Sequence, residues 1–574
     1  MSVDILTKPE RKFIANDLTV DSWESIEKYF VDLKSRDLSS RGELKQWFID
    51  LSELNSLLEE DMAWRYIKMT CDTANEELSK SFNFFVSEIQ PKVEVEDNLL
   101  NKKALECSYI SELESEQGYD IMIRSMKTQV ELFREDNIPL NVELSTLAQE
   151  YGMINGAMTI DHGGEELTLQ QASKFLKSTD RQLREEVYLK VAERRNQDAD
   201  KLDELFNKLI KLRHQVAVNA GFENYRDYKF KELGRFDYTP QDCFDFHNSI
   251  QKLVVPILGE QAQSRKNKLK VSNLRPWDGS VDVDGLDPLK PFDTGEELLE
   301  KSIDIFYKID TYFGERLDIM KKMGHLDLVS RKGKSPGGYN YPLDEIGVPF
   351  IFMNAASQLR DVVTMIHEGG HAVHSFLVRD KELSAFKHPP SEVAELASMS
   401  MELITMEDWD VFFSNPDELV RAKKEHLDQV IETLPWVAII DKFQHWIYTN
   451  PTHSNEDRKK QWNVILDEFS SGVTDWGDLE QYKDYMWQKQ LHLFEVPFYY
   501  IEYAMAQLGA IAVYKNYCEN KDSAIDSYKE ALSLGYTKSI SQVYEAADIK
   551  FDFSENYISE LISFIQSKLK DLDS

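Results

Sequence analysis

The chain has 574 residues, of which 42% are apolar and 11% aromatic, enough for a sizeable core and too many for a disordered chain. Asp and Glu total 101 against 67 Lys and Arg, a formal charge of −34, or roughly one excess negative charge per 600 Å² of expected surface. Such a surface favours solubility and repels phosphate backbones and anionic lipid heads, which excludes nucleic acid and membrane surface as expected partners.

The N-terminal MSVDILTKPERKF lacks the apolar run of a secretory signal, and nowhere do 18 apolar residues run together. Cys71, Cys107, Cys243 and Cys518 are scattered without CxxC or metal-ligand spacing, so four reduced thiols in a cytoplasmic protein are expected. Residues 22–60 place Trp23, Ile26, Tyr29, Phe30 and Leu33 at helical spacing, and 102–150 and 167–220 read the same way. Leu167 to Arg195 is rich in good helix formers. Residues 270–293, dense in Pro, Gly and Asp, read as loop with short extended pieces, and 331–349 as a second loop. Val348 to Asn354, VPFIFMN, reads as a strand, and helix resumes to the C-terminus. The expected fold is mostly α with a small antiparallel sheet near 270–355. A boundary near residue 200 divides an N-terminal helical region, 1–200, from 201–574, packed together as one body.

Residues 361–376, DVVTMIHEGGHAVHSF, contain His-Glu-x-x-His. On a helix, His367 and His371 lie one above the other and can aim ring nitrogens at one ion, with Glu368 about 100° round the axis. The pattern suits a single Zn²⁺ with an open position, where water loses a proton to Glu368 and attacks a carbonyl. Chance alone would place it in roughly 2–3% of such chains. Two features favour a real site. Val362, Val363, Met365 and Ile366 imply a buried helix, in which paired histidines need partners. Gly369 and Gly370 cost about 1–2 kcal/mol against Ala, which makes sense if a substrate strand or a second metal-bearing helix approaches closely.

The third ligand is sought in PPSEVAELASMSMELITM, residues 389–406, a helix with Ser391 as N-cap. Glu392, Glu395 and Glu402 are the candidates. Glu395 is favoured, because a carboxylate among Ala, Ser and Met is costly unless paired or bound to metal. Glu402, seven residues on, suits orienting a ligand histidine, and His374 suits packing or hydrogen bonding rather than ligation.

HEGGHAVH, followed 24 residues after its second histidine by Glu395 in VAELASMSMEL, resembles the thimet oligopeptidase and oligoendopeptidase F family of zinc metallopeptidases, nearest its bacterial oligoendopeptidase branch. RKGKSPGGY resembles the family's glycine-rich loop, and HLFEVPFYYIEYAMAQLGA, residues 492–510, its His/Tyr-rich segment. The resemblance spans about residues 200–560. It implies an elongated helical body with a deep central groove admitting short peptides, around a zincin-like core. It further implies zinc on His367, His371 and Glu395, Glu368 as general base, and His492, Tyr500 and Tyr503, with Tyr499 beside them, at the substrate carbonyl or oxyanion.

Val348 and Phe350 are expected on a sheet-edge strand to which an extended peptide adds by backbone hydrogen bonds. Gly337 and Gly338 are expected to let the loop close over substrate with Tyr339 reaching in. Gly333-Lys334-Ser335 fails as a phosphate loop, because Leu328 stands where a glycine is required and Pro336 falls in the first turn of the helix that must follow. The expected function is an oligoendopeptidase acting on short peptides, with oligomeric state open. The alternatives are a non-catalytic peptide binder that keeps the groove, and a metal hydrolase of another substrate.

Overall fold

Ser40 breaks the first helical stretch in two: its side chain accepts from the Glu43 N–H and starts the helix Arg41–Cys71. The helix before it, Trp23–Ser35, buries Ile26, Tyr29, Phe30 and Leu33, the stripe its spacing predicts. The computed structural model describes residues 4–331, 333–335 and 337–573, and it is mostly helical. Pro336 lies outside the described residues. A first core gathers residues from Ile14 to Met126 with Leu383 and Phe386, and a second runs from Leu132 to Ile565 and encloses the His-Glu-x-x-His helix. No helix of the described residues is long and apolar enough to cross a membrane.

The expected helix from Leu167 to Arg195 begins later. Gly163 and Gly164, both at positive φ, turn an antiparallel hairpin of β1 (Thr159–His162) and β2 (Glu165–Thr168). The long helix then starts at Arg181, with the Asp180 carboxylate accepting from the Gln182 and Leu183 N–H groups.

The second sheet comprises β3 (Leu326–Val329), β4 (Tyr339–Tyr341) and β5 (Phe350–Ala355), in the order β3-β5-β4. β3 pairs with β5 in parallel and β4 with β5 antiparallel, so the sheet is mixed rather than antiparallel. Residues 270–293 contribute no strand, only a short 3-10 turn at Pro276–Asp278. β5 is therefore a central strand with both edges paired and all six residues buried. Phe350 has both strand edges paired, and Val348, two residues before the strand, is fully buried, which argues against substrate contact at either. The edge nearer the His-Glu-x-x-His helix belongs to β4.

That helix, Leu359–Val378, starts at a box in which Asp361 accepts from the Gln358 and Ala356 N–H groups. Ser391–Ile404 crosses it, with Pro390 rather than Ser391 at the cap. The crossing explains the glycines. A Cβ on Gly370 would stand 2.7 Å from Ser398 Cα and 2.9 Å from the Ala397 carbonyl, both backbone atoms that cannot step aside. A Cβ on Gly369 would meet the Phe306 ring at 2.6 Å. Gly370→Ala is expected to lower stability by about 1–3 kcal/mol despite the better helix former, read as a fall in the thermal midpoint.

Candidate metal centre

His367, Glu368 and His371 project from one helix and Glu395 and Glu402 from the helix crossing it. Close packing at Gly370 brings the two faces together. Glu395 Oε2 lies 3.3 Å from His367 Nε2 and 3.7 Å from His371 Nε2. Atoms about 2.0–2.2 Å from one tetrahedral centre stand about 3.3–3.6 Å apart, so the three side chains already have the spacing of a shared ligand set. On its other side, His367 Nδ1 is 2.6 Å from Glu402 Oε1, which fixes the ring with Nε2 facing Glu395. His426 Nε2 lies 3.7 Å from the second Glu402 oxygen.

The electrostatics call for positive charge. Burial pushes the Glu395 carboxyl up, yet the bond to His367, the neighbouring imidazoles and the Tyr499 hydroxyl outweigh it and hold it at about 2. Burial likewise raises Glu402, and its bond and charge pairing with His367 bring it below the usual carboxylate range. Burial depresses His367, but the two carboxylates Glu395 and Glu402 raise it well above an ordinary histidine. His371, buried beside His367, is lowered to about 4 and is neutral at pH 7. Two imidazoles and a carboxylate in this spacing, with a further carboxylate orienting one ring, fit Zn²⁺.

Glu368 is not one of the converging trio and is buried. Burial, then the charges of Glu395 and Glu402, raise its carboxyl to about 7, with His367 opposing. Its Oε2 has no protein hydrogen-bond partner. A carboxylate left bare in the interior is costly, so a ligand or water is expected at that oxygen.

The C-terminal segment supplies the polar wall. His492 lies against Tyr500 and Tyr503, with ring centroids 4.9 Å and 5.6 Å away, and is lowered to about 4, chiefly by burial. Tyr499 donates to Glu395 Oε1 at 2.6 Å, a contact no spacing rule in the sequence announces. Tyr500 is tied to Trp436 and Gln490, and the Tyr503 hydroxyl stands 3.4 Å from His492 Nε2. The residue before these tyrosines, Phe498, is non-glycine at φ 67°, held there by Gln444 on its N–H and Arg235 on its carbonyl.

The glycine-rich loop divides. A Cβ built on Gly338 would lie 3.7 Å from Glu368 Oε1, which puts this backbone beside the acid. Gly337, at φ 99°, turns the chain, and its carbonyl accepts from Asn354. Tyr339 does not reach in: its hydroxyl pairs with Thr70 at 2.6 Å and its ring stacks on Phe352. Strand alternation explains the difference, since Tyr339 and Tyr341 share the face toward Tyr66 while Asn340 faces the other way. Asn340, missed from the sequence, donates to the Glu368 backbone carbonyl at 3.2 Å. His374 is buried outside the ligand trio.

The model of Peptidase family M3 matches residues 174–562, and that of the Peptidase M3 N-terminal domain residues 16–133. The oligoendopeptidase F homolog of Borreliella burgdorferi is 21% identical over 568 residues, covering 94% of this chain and 88% of that protein. Oligopeptidase PepF of Bacillus subtilis is 21% identical over 423 residues, 72% of this chain and 60% of that protein. Among solved structures, PZ peptidase A with an inhibitor aligns at TM-score 0.92 and 24% identity, covering 98% of this chain and 99% of that one. Oligoendopeptidase-F from Enterococcus faecium aligns at TM-score 0.63 and 17% identity, covering 96% and 98%. The two structural likenesses bear on the fold.

Proposed function

Because this chain belongs to peptidase family M3 and is a peptidase, we propose that it cleaves internal bonds of short peptides, using one zinc ion held by His367, His371 and Glu395. The observation that carries the reading is the convergence of those three donors while Glu402 holds the far nitrogen of His367. When bound, the ion polarises the scissile carbonyl and makes water more acidic. Glu368, with an unpartnered oxygen, takes the proton of the attacking water and returns it to the leaving amine nitrogen. His492 and the neighbouring tyrosines face the carbonyl oxygen as charge develops on it. With β5 buried, backbone pairing to the peptide falls to the edge at Gly338 to Tyr341, beside Glu368. The regions 1–200 and 201–574 form the walls of the peptide groove. Four free cysteines accord with a reducing cytoplasm.

The deciding experiment uses a mixture of short peptides blocked at both ends. Cleavage at internal bonds, lost with a chelator and restored by Zn²⁺, is expected. Peptide binding without cleavage in the metal-loaded chain would favour the non-catalytic reading. Glu402→Gln is expected to weaken zinc about 10–100-fold, measured by competition with a chromogenic chelator, because the His367 ring loses its anionic anchor.

A further inference from the structure

Away from the peptidase ligands, two helices bring a second set of metal-binding side chains together. Pro240–Leu253 presents Cys243 and His247, and Pro416–Thr449 presents Asp441 and His445, each pair at i,i+4 and so on one face of its helix. The two helices pack against each other. We propose that Cys243, Asp441 and His445 bind a second divalent cation of the zinc class, a structural site independent of the peptidase centre.

Three observations carry this. One ligand atom from each of Cys243, Asp441 and His445 lies within 4.8 Å of the other two. Cys243 and Asp441 have no exposed surface and His445 is 3% exposed, so water does not satisfy them. Yet neither His445 nitrogen has a hydrogen-bond partner, and Asp441 Oδ1 has none. Leaving such atoms unsatisfied in a core is costly. His445 Nε2 is 3.2 Å from Asp441 Oδ2, close but not aligned as a hydrogen bond. Donor atoms that share one zinc-class ion stand at about this separation. His247 Nε2, 2.9 Å from Asp441 Oδ2, fixes the carboxylate from behind.

Thiolate, imidazole and carboxylate together select zinc-class ions over Ca²⁺ or Mg²⁺, which take oxygen. The charge balances: one thiolate and one carboxylate neutralise a divalent ion, and binding releases the Cys243 thiol proton to solvent. The His445 ring lies 5.4 Å from that of Phe498, the strained residue that leads into Tyr499 and Tyr503. The ion would therefore pin the floor beneath the tyrosine segment.

The competing account puts a proton on His445 or His247 in the ion's place, and Co²⁺ distinguishes the two. The full chain, stripped by chelator and shown by circular dichroism to remain folded, is titrated with Co²⁺. Two equivalents are expected, one of which gives a near-ultraviolet thiolate-to-cobalt charge-transfer band. The peptidase site has no sulfur ligand and cannot produce that band. Cys243→Ser is expected to abolish the band and one equivalent. Glu395→Gln, which leaves the Cys243 core intact, is expected to keep the band at full height while the sulfur-free equivalent weakens. Zinc analysis of the protein as purified, without stripping, gives the same count. A folded wild-type chain with no band, or a band that persists in Cys243→Ser, overturns the site.

Discussion

Glu368→Gln is expected to lower kcat/KM on a blocked peptide by about 10²–10⁴-fold while zinc content stays at the wild-type value. The substitution keeps shape and removes basicity. Space is not at issue, since Oε2 touches no partner that an amide would displace, and the Asn340 bond goes to the Glu368 backbone and survives. The proposed metal donors are three other side chains, of which His367 is still oriented by Glu402. What changes is proton affinity. Burial and the charges of Glu395 and Glu402 raise the Glu368 carboxyl to about 7, and its proposed role is to take a proton from water and pass it to the leaving amine. An amide can do neither. Steady-state kinetics beside elemental analysis provide the check, and near-wild-type turnover in a metal-replete Glu368→Gln protein would sink the assignment.

Residues whose placement follows from spacing along one element were legible in the sequence. His367 and His371 declare themselves because a helix fixes their separation, and Glu395 because a carboxylate among Ala, Ser and Met needs a partner. The helical body follows from the apolar period. What eluded the sequence depends on partners across space. VPFIFMN reads the same as a central or an edge strand, and only the pairing of β3 on one side and β4 on the other places it in the centre. The face of β4 that meets Glu368 follows from register, so Tyr339 was expected where Asn340 stands. The Tyr499 bond to Glu395 spans 104 residues and leaves no local trace. Cys243 and Asp441 look scattered in the chain because their helices meet only in the fold.

On the proposed reading, the donors decide which tyrosine meets the oxyanion. The Trp436 indole is a donor only and gives its N–H to Gln490 Oε1 at 3.0 Å, which fixes that oxygen as acceptor and the Gln490 amide nitrogen as donor. That nitrogen lies 2.7 Å from His492 Nδ1, so Nδ1 accepts and the neutral ring carries its proton on Nε2. Nε2 in turn faces the Tyr503 oxygen at 3.4 Å, which then accepts and keeps its own proton free to donate. Tyr499 has spent its proton on Glu395; Tyr500 accepts from Trp436 and Gln490 and keeps its proton too, but Tyr503 is the one that feels the charges of Glu395 and Glu368, which Tyr500 does not. Tyr503→Phe is therefore expected to lower kcat by about 10²–10³-fold, or about 2.7–4 kcal/mol of transition-state stabilisation, with KM little changed. Tyr500→Phe should cost far less, and Tyr499→Phe should show itself in zinc affinity more than in kcat. If Tyr500→Phe proves the more damaging of the two in kcat, the chain of donors from Trp436 does not end at the oxyanion.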